Sequence, residues 1–95
     1  MHKRLPAAVI IGIVALCSGL NAAQAADQTY CRGYASAALN QVRGALSNPA
    51  CVGGAQGARW SRDYKVHYDW CLARSYAATG EERDARTNYL RGCRP

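Results

Sequence analysis

The sequence predicts an all-α fold: a small three-helix domain stapled by disulfides and preceded by a cleavable signal peptide. Three observations predict it. Cys31, Cys51, Cys71 and Cys93 stand at wide, nearly even intervals behind an apolar leader. Three later stretches place apolar residues at spacings of three and four. No stretch alternates apolar and polar residues for more than a few positions, so strands are not expected.

The leader comes first. Met1 to Arg4 is a short basic head, and Leu5 to Leu20 is an apolar run. Ala23-Gln24-Ala25 fits the small-x-small rule for signal peptidase, which divides the chain into a signal, 1–25, and a domain, 26–95. The run of about 16 residues is short of the ~20 that span a bilayer, so no anchor is expected in the mature chain. Cys17 follows Leu16, where a lipobox wants a small residue, and lipidation is not expected.

What remains is about 70 residues, a size at which a hydrophobic core is marginal and covalent staples are common. An even number of cysteines in a short exported domain implies two disulfides and a periplasmic or secreted location. There is no Phe; six Tyr and two Trp supply the aromatic bulk, and their polar tips suit a thin core with a wet edge. The formal charge is +6. Lys3 and Arg4 leave with the signal, so ten of the twelve cations remain against six carboxylates, a net +4. Nine of those ten are Arg, which suits internal ion pairs and also an anionic partner.

The first helix is expected over Thr29–Leu46. Cys31, Tyr34, Ala35, Ala38, Val42, Ala45 and Leu46 form its stripe, with Asp27 or Thr29 as N-cap. Ser47-Asn48-Pro49 ends it. A glycine-rich loop, Asn48–Trp60, follows without secondary structure of its own. The second helix is expected over Arg62–Ala78 with Ser61 as cap. Ala78-Thr79-Gly80 reads as the turn into the third helix, because Thr79 and Glu82 match a capping box. That helix runs to about Gly92, with Arg86, Tyr89, Leu90 and Cys93 on its inner side and Glu82–Arg86 as an i,i+4 pair.

Four cysteines allow three pairings, and chain-closure entropy, about 7 to 8 kcal/mol in total for each, does not choose among them. Cys31 opens a helix about 22 Å long and Cys51 lies just past its end, which disfavours Cys31–Cys51. In an up-down-up bundle Cys31 meets Cys71 and Cys51 meets Cys93. If the loop instead returns alongside the first helix, Cys31 meets Cys93 and Cys51 meets Cys71. The nested pairing is preferred, because it gives the long loop a role and ties both ends of the domain.

Tyr30-Cys31-Arg32-Gly33-Tyr34-Ala35, Cys51-Val52-Gly53, Gly57-Ala58-Arg59-Trp60-Ser61, His67, Trp70-Cys71, Glu82, Arg86, Leu90 and Cys93 together resemble a small four-cysteine helical domain of exported Gram-negative bacterial proteins, which occurs alone or in tandem. The resemblance spans nearly all of residues 26–95. It implies an exported, disulfide-bonded module and carries no site or activity. The Cys-Gly step expected of that domain is Cys51-Val52-Gly53 here, which implies a tight turn displaced by one residue.

Candidate chemistry is sparse. His67 and Cys71 at i,i+4 have the spacing of two metal ligands, yet an exported cysteine is normally oxidised and no close cysteine pair accompanies them. No Cys-x-x-Cys-His occurs, so no covalent haem is expected, and no other cofactor or metal either. Ser61, Asp63 and His67 suggest a triad, but the first two are better explained as helix-start residues. No catalytic residues are assigned. Arg59-Trp60-Ser61-Arg62 interleaves cations with an aromatic and, with His67, forms the candidate binding surface for a protein or an anionic envelope component. The structural alternative has Trp60 plugging the loop onto the core while the two Arg pair with Asp63 or Asp69. Nucleic acid is not an expected partner of an exported domain. The expected function is a monomeric, non-catalytic binding or envelope-associated module. The alternative is a secreted cationic effector acting on membranes or a host protein, against which the modest, interleaved charge argues.

Overall fold

Asp27 starts the first helix. Its backbone is extended (φ −87°, ψ 171°) and its carboxylate accepts the Tyr30 N–H at 2.7 Å, as an N-cap does. The computed structural model describes residues 24–94, and most of the predicted signal lies outside them. Helix α1 spans Gln28–Leu46 and buries Cys31, Tyr34, Ala35, Ala38, Val42 and Ala45, six of the seven residues of the expected stripe; Leu46, the seventh, is half-buried. Small alanines on that stripe let the neighbouring helices approach closely.

The segment expected to lack structure contains two short elements. Asn48 accepts the Ala50 N–H and Pro49 takes a first-turn position, starting the one-turn helix α2, Pro49–Val52. A 3-10 turn covers Ala58–Trp60, after Gly57 at φ 88°, the sole positive φ among the described residues. Gly53 has φ −62° and ψ −35°, and a tight turn closes over Gly53-Gly54 through the Ala55 N–H, which donates to the Val52 carbonyl at 3.2 Å.

Helix α3, Tyr64–Leu72, is shorter than expected at both ends. Asp63 rather than Ser61 caps it, accepting the Lys65 N–H at 3.0 Å. Its chain turns at Ala73-Arg74, and Ser75 caps helix α4, Tyr76–Cys93, by accepting the Ala78 N–H at 3.1 Å. The predicted turn at Ala78-Thr79-Gly80 is therefore helix interior. Thr79 is fully buried and shares a 2.7 Å hydrogen bond with the Tyr30 hydroxyl, and no capping box forms with Glu82. The α3–α4 corner is fixed from a distance: Ala26 N–H donates to the Arg74 carbonyl at 2.9 Å, and the Tyr76 hydroxyl donates to Asp27 at 2.9 Å. Ala26, which directly follows the predicted cleavage point, is 4 % exposed.

The disulfides are Cys31–Cys71 and Cys51–Cys93, not the nested pairs. The reason is the path of the loop. Helix α2 keeps Cys51 at the far end of α1 rather than returning it. Helix α3 then runs back antiparallel, bringing Cys71 to Cys31, and α4 runs parallel to α1, bringing Cys93 to Cys51. Each bridge sits in its own apolar cluster. One gathers Val42, Ala45, Cys51, Ala55 and Trp60, with Leu46, Tyr89 and Leu90 against it. The other gathers Ala26, Cys31, Tyr34 and Cys71, with Tyr30, Tyr68, Trp70 and Leu72. Among the described residues no strand forms, and no helix is long and apolar enough to cross a membrane.

Candidate functional site

Between the two clusters stands a buried cation. Arg86, 1 % exposed on α4, donates from Nε to Gln41 Oε1 at 2.7 Å and from Nη2 to the Tyr34 hydroxyl at 3.0 Å. Its Nη1 donates to the Arg59 carbonyl at 3.4 Å and lies 3.8 Å from Glu82. A buried guanidinium is tolerable only when its donors are met in this way. Glu82, one turn earlier on α4, is held mainly by Arg59, which grips both its oxygens at 2.7 and 3.1 Å. That forked hydrogen bond raises the Arg59 pKa above its ordinary value. Burial, partly opposed by Arg86, pushes the Tyr34 phenol up.

This network borders a cleft of about 250 Å³. Helix α3 supplies Val66, His67 and Trp70; the 3-10 turn supplies Ala58 and Arg59; Tyr34, Glu82 and Arg86 complete it. Val66 and Trp70 are one turn apart on α3 and so share a face. Val66 is 38 % exposed at the rim. Trp70 stacks on Tyr34 with ring centroids 5.8 Å apart, and the Arg74 guanidinium lies over the indole at 5.0 Å.

Of the four residues expected to form a binding surface, Arg59 and His67 meet at this cleft. Trp60 does not: it is 6 % exposed and packs edge-on against Tyr89 at 5.1 Å, plugging the core. Arg62 is exposed and does not line the cleft. The ion partners also differ from those expected, since Arg59 takes Glu82 while Lys65 takes Asp69 at 2.6 Å. His67 is 3 % exposed, and its Nε2 lies 2.7 Å from the Ser61 carbonyl, which fixes that nitrogen as the donor. Ser61 Oγ instead accepts the Asp63 N–H, and Asp63 caps α3, so the three do not assemble as a triad. Cys71 is oxidised, so it and His67 do not present a ligand pair. Among the described residues no group of three His, Cys, Asp or Glu is placed to hold a metal.

Tyr34, Val66 and Trp70 line the cleft as well, although no local motif marks them as site residues. Their signal was faint: Val66 is one apolar residue off the buried face of α3. Compared with known protein families, curated proteins and solved structures, the chain matches none.

Proposed function

We propose that the chain is a non-catalytic exported binding module that engages an envelope or extracellular partner through this cleft. The observation that carries the proposal is an open recess with an apolar rim, set in a frame that two disulfides brace. Around it the polar groups already satisfy one another: His67 with Ser61, Tyr34 with Arg86, Glu82 with Arg59. Such groups hold shape rather than turn over a substrate. Oxidised cysteines fit folding outside the cytosol. The cationic-effector alternative is weaker, because Lys65 and Arg83 lie within ion-pair distance of carboxylates of the same chain and Arg86 is buried, out of reach of a membrane surface.

Photo-crosslinking tests the proposal. A benzophenone amino acid placed at Val66, at the cleft rim, is expected to yield a discrete adduct in the envelope of the producing cell. The same group at Val52, an equally exposed apolar site on α2, is expected to yield none. No adduct from position 66, or identical adducts from both, would overturn it.

A further inference from the structure

We infer that the cleft takes a peptide segment in which a carboxylate side chain adjoins one large apolar side chain. The inference rests on the binding-module proposal and specifies its ligand. Charge is the first argument. Two guanidinium groups, Arg59 and Arg86, line the cleft with a single carboxylate, Glu82, so one positive charge is uncompensated. Arg86 is enclosed, but the Arg59 side chain is 47 % exposed. Arg59 turns Nε and Nη2 to Glu82, and its Nη1 has no hydrogen-bond partner among the described residues. An incoming carboxylate therefore finds a donor already oriented by the Glu82 fork, with little side-chain entropy left to lose.

Size and lining give the second argument. About 250 Å³ lies below the usual range for drug-sized ligands but suits a single side chain. Val66 and Trp70 offer it an apolar wall on α3, a few residues along the chain from Arg59 on the 3-10 turn. A chain segment laid across the rim would seat its apolar residue against Val66 and Trp70 and turn its neighbouring acid to Arg59.

The test uses the oxidised protein as isolated from the producing cell, isotopically labelled and titrated by nuclear magnetic resonance with acetyl-Trp-Glu-amide and acetyl-Trp-Gln-amide. Saturable shifts at the Val66 methyls and the Trp70 indole N–H are expected with the Glu peptide. Binding is expected to be about five-fold weaker for the Gln peptide and for Arg59→Gln, the scale of one partly exposed ion pair. Val66→Glu, on the exposed rim and outside the hydrogen-bond network, is expected to abolish binding with the fold intact by presenting its own carboxylate to Arg59. This keeps the test valid should Arg59→Gln unfold. Equal affinity for the two peptides, no shifts at millimolar peptide, or shifts confined to residues outside the cleft would overturn the inference. If those results came with a specific crosslink from position 66, the binding-module proposal would stand and this ligand class alone would fall.

Discussion

Arg86 and Tyr34 are joined twice: Nη2 donates to the phenol oxygen at 3.0 Å, and the guanidinium carbon lies 5.3 Å from the ring centroid. The residues are 52 positions apart, and the contact couples α4 to α1 at the Tyr34 member of the Cys31–Cys71 cluster. Tyr34→Phe leaves a buried charged donor short of its partner and is expected to cost about 1 to 3 kcal/mol in urea unfolding of the oxidised domain. Arg86→Ala also strips Gln41 of a partner and opens a cavity, and about 3 kcal/mol or more is expected. Arg86→Met, which refills the space without a charge, should cost less than Arg86→Ala.

Two glycines test the observed helix boundaries. Gly80 lies inside α4, and an added methyl would meet only the flexible end of Arg83 at 3.5 Å. Gly80→Ala is expected to stabilise the domain by about 0.5 to 1 kcal/mol. Gly54 is the opposite case, because its methyl would collide with the Tyr89 hydroxyl, which donates to the Cys51 carbonyl at 2.6 Å. Gly54→Ala is expected to destabilise by about 1 to 3 kcal/mol. Gly53→Ala, with nothing within 4 Å, serves as the control. Thermal melts of the three variants would show the ranking.

Asp27 links pH to stability. The Tyr30 N–H and then the Tyr76 hydroxyl hold its carboxyl below the ordinary carboxylate value. A depressed folded pKa contributes stability that is present above the unfolded pKa and is lost as pH falls through the folded one. Melting temperature is therefore expected to drop in acid. Asp27→Asn should flatten that drop, and an unchanged acid limb in the variant would contradict the assignment.

Reduction is expected to unfold the domain near body temperature. The bridges close segments of 40 and 42 residues in sequence separation, and losing one typically costs ~2–5 kcal/mol in small domains. Helicity by circular dichroism should collapse in reductant. Full retention would mean that the two apolar clusters suffice alone.

Helix α1 was legible because its determinants are local: the stripe of buried residues and the Asp27 cap all lie within one segment. The α3–α4 corner was not. Ser75 looks like one more polar helix residue, while Thr79-Gly80 imitates a helix start. The contacts that decide otherwise, Ala26 to Arg74 and Tyr76 to Asp27, join distant parts of the chain. The disulfide pairing failed for a related reason. Pro49 marks the end of one helix, yet behind Asn48 it also begins the next, and that short helix sets the path of the loop. At the cleft, the inward position of Arg86 and its spacing from Glu82 were visible locally. The bond from Arg59 to Glu82, 23 residues away, was not.

A covalently braced up-down-up bundle holds the Arg86 layer and its cleft in shape. Mass-spectrometric mapping of disulfides in the protein isolated from the producing cell, digested without reductant, tests it most directly. The expected result is Cys31 linked to Cys71 and Cys51 linked to Cys93, with no free thiol among the four. Peptides joining Cys31 to Cys93, or four alkylatable sulfhydryls, would contradict it.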